Sequence, residues 1–288
     1  METMPIAYTI PDSSSLAMTG KYPPRTFRGL QDFNQAINTL QERLRQRDVN
    51  QFLSFKHVSA KSFRSLDKNL GQLGTGVRIT YFPDIETLIV KVVTAPHETA
   101  HRAFTDEAIS SLSIMGISLD ERVPTGAARY TAPSNSRKEG DSTYKNNLLR
   151  PRNTDWPHWV IESGVSESLP RLLQDVNWWI GNSAGRVLLV LLFKVSRAEK
   201  KFTIEKYFPQ ARQRPSTRAQ AGGTSFVPQR ISTTVVNMRT TPPTIQGPSV
   251  VLEFSRVIGR QPVPPEKDLV FGPEKLIQIG RVVFWDMA

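Results

Sequence analysis

The sequence predicts an α/β fold in which a central mixed β-sheet is flanked by helices. Between Val77 and Tyr207 the apolar spacing predicts strand, strand, helix, strand, strand, helix, strand and strand, in that order. Hydrophobic residues make up 39% of the 288 residues, enough for a core, and 21 prolines indicate extended loops. Because the chain contains no cysteine, a disulfide framework and any cysteine-ligated zinc or iron–sulfur site are excluded.

Apolar spacing defines the individual elements. Apolar residues from Leu30 to about Phe55 recur near every 3.6 residues, which predicts an amphipathic helix before the core. A hairpin follows, with strands at 77–82 and 87–93 and Pro83 in its turn. The other predicted elements are a helix from about 94 to 116, strands at 128–132, 160–162, 187–195 and 201–207, a helix from 167 or 169 to 180, a strand at 250–254, a short helix at 273–279 and a last strand at 282–285.

The chain divides into five predicted segments. These are a disordered N-terminus at 1–25, a helical extension at 26–75, the α/β core at 76–208, a flexible basic insertion or linker at 209–247, and C-terminal strands and a helix at 248–288 that pack on the core. The N-terminus lacks a basic region followed by an apolar core, and the longest apolar run, Val187 to Phe193, is too short to span a membrane. We therefore expect an intracellular protein, nuclear or cytoplasmic, without a membrane partner.

The charge of the chain favours an acidic partner, nucleic acid first. The formal net charge is +11, and residues 186–230 hold ten Lys/Arg against two acids. The candidate phosphate-binding residues are Lys194, Lys200, Lys201, Arg212, Arg214 and Arg218. The alternative is a solvated loop whose charge aids solubility.

One sequence motif has the pattern of a zinc protease. In the segment HETAH, His97 and His101 are four residues apart and share a helix face, so both imidazoles could bind zinc while Glu98 activates water. A third ligand is not evident, because Glu121 falls in a predicted loop. The motif also follows Pro96 in the first turn of the helix, where an acid favours the helix dipole. Helix-surface residues are therefore the main interpretation, and a zinc metalloprotease is an alternative.

Two acids lie at predicted strand ends. Glu162 ends the apolar strand WVIE, and Asp141 follows a glycine about twenty residues earlier, at the start of another strand. Carboxylates on neighbouring strand ends, with the helical acid Glu98 nearby, would suit Mg²⁺ or Mn²⁺, which could polarise a phosphodiester and activate water. Alternatively, each acid only caps a turn. Buried charges are costly unless paired or metal-bound, so we favour a functional pair.

The same segments carry a family resemblance. The stretches RITYFPDIETLIVKVVTAPHETAHRAF, KEGDSTYKN, WPHWVIESGVSESLPRLLQDVNWWI, VLLVLLFKV and FTIEKY resemble a group of fungal hypothetical proteins of the PD-(D/E)XK nuclease-like superfamily. The resemblance covers slightly less than half of the chain and implies a restriction-endonuclease-like core that cuts DNA or RNA with a divalent metal. It implies Asp141 as the first acid, Glu162 as the second and Glu98 as the helix acid.

The chain departs from the family pattern at one position. The family lysine belongs two residues after Glu162, where this chain has Gly164. The residues that could supply the basic group from another element are Arg171, Lys194 and Lys138, and Asp175 is predicted to face the site. The first hypothesis is thus a metal-dependent nuclease that hydrolyses phosphodiester bonds. The alternative is a catalytically inactive nuclease-fold module that binds nucleic acid or protein.

Overall fold

The fold was obtained as a computed structural model, which describes residues 10–70, 76–126, 128–165, 168–214 and 223–285, without the side chains of Leu70, Pro96, His97 and Arg214. Its helices are α1 (Ser13–Ala17), α2 (Leu30–Gln46), α3 (Ala60–Leu70), α4 (Ala95–Ile114), α5 (Leu169–Asn182), α6 (Phe254–Ile258) and α7 (Pro273–Val283). Its strands are β1 (Arg25–Thr26), β2 (Phe52–Lys56), β3 (Val77–Phe82), β4 (Thr87–Val92), β5 (Val123–Pro124), β6 (Arg129–Thr131), β7 (Arg137–Glu139), β8 (Ser142–Lys145), β9 (Trp159–Val165), β10 (Leu189–Ser196), β11 (Lys201–Arg214), β12 (Gly223–Asn237), β13 (Thr244–Gln246), β14 (Val250–Leu252) and β15 (Leu269–Phe271).

The strands build two large sheets and a short two-stranded one. Sheet 1 has the order β1-β2-β4-β3-β7-β6, and sheet 2 has the order β13-β12-β11-β10-β9-β8-β5. Both are mixed, because β1 pairs with β2 and β9 with β10 in parallel while the other pairs are antiparallel. The predicted α/β architecture of mixed sheet and flanking helices is confirmed. The predicted hairpin β3–β4, however, belongs to sheet 1, whereas Glu162 lies in sheet 2.

Three clusters of buried apolar side chains show how the helices and the two large sheets are layered. Helices α2 and α3 cover one face of sheet 1, since their buried side chains pack with Ile79, Tyr81 and Val90. The opposite face of sheet 1, which carries Phe82 and Ile89, packs with α5 and one face of sheet 2. Helices α4 and α7 cover the other face of sheet 2. Sheet 1 therefore lies over the side of sheet 2 on which α5 packs.

The start of α5 is hydrogen-bonded to the segment that leads into β2 of sheet 1. Ser168 stands directly before the helix and Pro170 lies in its first turn, where a missing N–H costs nothing. The hydroxyl of Ser168 does not cap the helix but accepts the backbone N–H of Gln51, at 2.9 Å, from the segment before β2.

Two segments predicted to lack regular structure are ordered elements. Residues 10–25 include α1, which begins where the Asp12 carboxylate accepts the N–H of Ser15 and which buries Leu16 and Ala17. Residues 209–247 form the outer part of β11, most of β12 and all of β13, so this segment is not a flexible insertion in its described part. The β-branched run in ISTTVVN is strand-forming, although Arg, Gln and Pro dominate the composition.

The C-terminal region follows the prediction in part. Strand β14 and the helix at 273 are present, but the helix continues to Val283 where a strand was predicted. Leu276, Ile279 and Val283 are buried at spacings of three and four, the helical period. No helix in the described ranges is long and apolar enough to cross a membrane.

Candidate functional site: a buried cluster of acids and lysines

The two predicted acids lie side by side. Strand β8 pairs with β9 in antiparallel register, Ser142 opposite Ile161, which places Asp141 next to Glu162 across the ladder. The backbone N–H of Ser163 donates to the Asp141 carboxylate at 2.6 Å. Asp141 is 4% exposed and Glu162 is fully buried. The predicted adjacency is confirmed, whereas the chemical role of the pair stays a proposal.

A lysine from the other sheet joins the two acids. Lys91, on β4, places its Nζ 2.5 Å from Asp141 Oδ2 and 3.0 Å from Glu162 Oε2. Its side chain is 3% exposed. Sequence reasoning missed Lys91, although a single cation inside the apolar run TLIVKVV was a usable signal. A lysine in a strand that is buried on both faces requires carboxylate partners, because an unpaired buried charge is costly.

A second lysine extends the cluster to α5. Lys138, on β7, places its Nζ 2.6 Å from Asp175 Oδ1 and 3.3 Å from Glu162 Oε1. The indole N–H of Trp179 also donates to Glu162 Oε1, at 2.6 Å. Trp178 and Trp179 are both buried, so neither offers a base-stacking surface. Of the basic residues predicted to replace the family lysine, Lys138 reaches the acids.

Chain connectivity explains why these groups meet. The segment KEGDSTYK leaves sheet 1 as β7 and enters sheet 2 as β8, with Gly140 at the crossing. A Cβ on Gly140 would lie 2.8 Å from Thr143 and 3.1 Å from the Trp179 ring, so only glycine fits. Lys138 and Asp141, three residues apart, therefore face one cluster from two different sheets.

The cluster sets the protonation of its members. Burial alone would lower the pKa of Lys91, but the carboxylates of Asp141 and Glu162 outweigh burial and hold that pKa above its ordinary value. Burial raises the pKa of Asp175 to about 6, with Lys138 opposing and Glu162 adding to the shift. Lys91 is thus held in its charged form, whereas the pKa of Asp175 lies closer to neutrality than that of an ordinary aspartate.

The space beside Gly164, two residues after Glu162, is filled by side chains of other residues. A Cβ on Gly164 would lie 2.7 Å from Gln51 Oε1 and 2.9 Å from Leu172. That Gln51 oxygen accepts the N–H of Val165 at 2.8 Å, and its amide group donates to Val92. Gly164 is therefore required by packing, and Lys91 and Lys138 bring cations to the acids from sheet 1 instead.

As arranged, the acids do not fit a divalent metal ion. The Lys91 ammonium occupies the place between Asp141 and Glu162 in which a bridging cation would sit. No group of three or more His, Cys, Asp or Glu side chains in the described residues is placed to hold a metal ion. Glu98 stands apart from the pair and reaches it through Arg78, which lies 3.7 Å from Glu98 and 3.9 Å from Asp141.

In the HETAH motif, His101 is a buried residue of α4 with protein partners and not a residue of the helix surface. The His97 side chain lies outside the described residues. His101 is buried, with one ring nitrogen 3.1 Å from Glu98 and the other 3.0 Å from the Ser142 hydroxyl. Burial opposes ionisation of Glu98, but hydrogen bonds from His101 and Arg102 hold its pKa at about 2. His101 therefore joins α4 to β8, and both of its nitrogens have protein partners.

Arg171 and Asp175 face a small cavity. The cavity holds about 10 Å³ and is lined by α5, sheet 1 and Leu16. Asp175 Oδ2 and Arg171 Nε are buried without hydrogen-bond partners in the described part of the chain. The Arg171 guanidinium donates to the carbonyl of Ala17 and does not touch the acid pair.

The residues predicted to bind nucleic acid do not form one surface. Lys200 and Lys201 lie at one end of the β11–β12 ribbon and Arg212 near the other, roughly 36 Å apart at strand rise. Lys194 is half-buried on β10, and Lys201 pairs with Glu199 at 3.2 Å. The Arg214 side chain and Arg218 lie outside the described residues.

Comparisons with known proteins find similarity among solved structures alone. No protein-family model matches the chain, and no curated protein matches it. Among solved structures, the chain is similar to a protein from Anabaena variabilis described as a "putative nuclease belonging to DUF820". The similarity covers 51% of this chain and 75% of that chain, with 13% identity and a TM-score of 0.32. A similarity this low identifies no function, which depends on the residues of the site.

Proposed function

We propose that the protein binds the phosphate backbone of nucleic acid without cleaving it, and that the acid cluster joins the two sheets. One observation carries the absence of cleavage: the Lys91 ammonium bridges Asp141 and Glu162, and all three are buried. A nuclease of this type needs its acids open to a metal and to the scissile phosphate. Here both carboxylates are neutralised by the protein itself.

Support for nucleic acid as the ligand comes from α3. Lys61, Arg64 and Lys68 are exposed and lie three and four residues apart, so they share one helix face over roughly 10 Å. The one acid of this helix, Asp67, is held by Arg129 at 2.6 Å and does not neutralise them. A row of cations that have no ion-pair partner among the described residues suits the backbone of a nucleic acid, which is bound without sequence preference.

The test measures binding and cleavage in the same samples. Labelled single- and double-stranded DNA and RNA are titrated at several salt concentrations with Mg²⁺, with Mn²⁺ and with EDTA. We expect binding that weakens with salt, and intact substrate in every sample. The triple variant Lys61→Gln, Arg64→Gln, Lys68→Gln should flatten the log–log salt slope on duplex DNA by up to about three units.

A matched triple variant locates the surface. Lys200→Gln, Lys201→Gln, Arg212→Gln removes the same charge from the β11–β12 ribbon and should leave the slope unchanged. A flattened slope in the ribbon variant alone would move the binding surface to the ribbon. No salt-dependent binding by the unmodified protein would overturn the proposed function.

Metal-dependent phosphodiester hydrolysis is the second candidate. The observation that favours it is the adjacency of Asp141 and Glu162, which matches the acid pair of the resembling family. Cleavage that requires Mg²⁺ or Mn²⁺ and is lost in both Asp141→Asn and Glu162→Gln would establish this candidate, provided that both variants still melt cooperatively.

A further inference from the structure

Arg171 is a buried cation with too few partners. The residue is 3% exposed, and among the residues that the structure describes its guanidinium has one hydrogen-bond acceptor, the carbonyl of Ala17. The Tyr22 ring covers the guanidinium at 4.7 Å. Its Nε has no partner, and within the described residues no carboxylate forms an ion pair with it. A guanidinium has five N–H donors, so this environment leaves most of its capacity unused.

The Ala17 carbonyl and the Tyr22 ring, which both contact the Arg171 guanidinium, belong to one short segment. The N-terminal strap, residues 10–22, contains α1 and crosses the outer side of α5. Pro11 packs against Gly181 on α5, and Leu16 closes the cavity that Asp175 and Arg171 line. Apart from Leu16 and Ala17, few of its side chains are buried deeply, so little apolar area opposes its release.

We propose that the strap is a displaceable cover over an anion-binding site centred on Arg171, and that the anion is a phosphate of a nucleic-acid strand. The identity of the anion rests on the proposed function. In the closed state the Ala17 carbonyl takes the position of a phosphate oxygen, and the Tyr22 ring stacks where a base would. Once the strap leaves, the planar fork of the guanidinium can bind phosphate through two N–H groups, a stronger arrangement than one carbonyl.

The neighbouring acid is compatible with this role. Asp175 lies one turn along α5 from Arg171, and its Oδ1 is held by Lys138 at 2.6 Å. Its charge is therefore partly compensated from sheet 1, by an ammonium that also lies 3.3 Å from Glu162. The site is distinct from the basic face of α3, because Arg171 is reached through the strap and α3 covers the opposite face of sheet 1.

A reversible lock on the strap tests the proposal. The natural chain has no cysteine, so Pro11→Cys with Gly181→Cys introduces one thiol pair. A Cβ at 181 would touch Pro11, which places the two Cβ atoms within the ~4 Å that a disulfide requires. The same protein can then be compared oxidised, with the strap locked, and reduced, with the strap free, on a labelled single-stranded oligonucleotide.

We expect the reduced form to bind roughly tenfold more tightly than the oxidised form, the effect of about one charge-assisted hydrogen bond. Adding Arg171→Gln should abolish the difference between the two forms. Equal binding by the locked and free forms would overturn the inference while leaving the proposed function intact. If neither form nor the natural chain binds, the proposed function itself fails. Because both forms share one sequence, the difference cannot come from the substitutions alone, and equal cooperative melting of the two forms excludes a folding defect in either.

Discussion

Single residues decide how the acid cluster behaves. Lys91 sits in a strand whose residues are all buried, and its ammonium is stable there only because Asp141 and Glu162 face it. Desolvation of three charges is costly, so such a group contributes to stability as a unit and not through any member alone. Removing one partner leaves an unpaired buried charge.

Substitution of Lys91 should therefore be severe. We expect Lys91→Met to lower the free energy of unfolding by about 3–5 kcal/mol, because two carboxylates then remain buried without their shared cation. Urea denaturation followed by circular dichroism measures the loss. The matched variant Lys91→Met, Asp141→Asn, Glu162→Gln removes all three charges and should recover most of it. A loss below about 1 kcal/mol in the single variant would contradict the pairing.

The raised pKa of Asp175 predicts a pH effect. Its pKa is about 6 in the folded protein and near the ordinary 3.8 when unfolded, so between these values the folded state binds more protons. Its contribution is present below pH 4 and is lost as the pH rises to 6. As the pH rises from 4 to 7, the stability of Asp175→Asn should thus increase relative to that of the natural protein by on the order of 2–3 kcal/mol, in addition to a pH-independent cost of removing the partner of Lys138. Melting temperatures of both proteins from pH 4 to 7 measure the difference, and parallel profiles would refute the assignment.

Part of the site could be predicted from residues alone. The acids at strand ends and the glycine at position 164 are visible in the sequence. Asp141 and Glu162 could be predicted to lie together because their strands are close in sequence and pair directly. Lys91 could not be assigned to them, since its partner acids lie in another sheet 50 and 71 residues away. Contacts between sheets depend on packing, which strand periodicity does not encode.

At the scale of elements, the long ribbon shows where composition misleads. Strands β11 and β12 pair from Lys201 and Asn237 to Arg214 and Gly223, with a register shift at Lys206. Exposed ribbon ends tolerate Gln, Arg and Pro, so a segment with a loop-like composition can still be strand. Pairing with a neighbour, rather than burial, ordered these residues.

The short strand β13 depends on one glycine. Gly247 has a φ of +97°, and a Cβ there would collide with the Thr233 carbonyl on β12. Gly247→Ala should destabilise the protein by several kcal/mol and release β13. Gly116→Ala is the matched control, because its φ of +82° is also positive but its surroundings are open. The control should cost about 1 kcal/mol. Similar chemical denaturation midpoints for the two variants would contradict the collision.

At the scale of the whole molecule, the two sheets should unfold together. Lys91 and Lys138 belong to sheet 1 and bond carboxylates on sheet 2 and α5, so neither sheet can separate without exposing buried charges. The tryptophans at 156, 159, 178, 179 and 285 all lie outside sheet 1. Tryptophan fluorescence and far-ultraviolet circular dichroism should therefore give one coincident transition in urea. An earlier transition by circular dichroism would show that sheet 1 melts independently.

The ion pairs of Lys91 with Asp141 and Glu162 also constrain which substitutions this chain can accept during evolution. A nuclease that lost its activity would ordinarily be free to lose its acids, and their disappearance would mark the loss. Here Asp141 and Glu162 must persist as long as Lys91 does, since each compensates the other inside the protein. Descendants should therefore exchange these positions jointly, with an apolar residue at 91 accompanied by neutral residues at 141 and 162. Retention of the acid pair among relatives that keep Lys91 would therefore reflect this packing and would not by itself indicate catalysis.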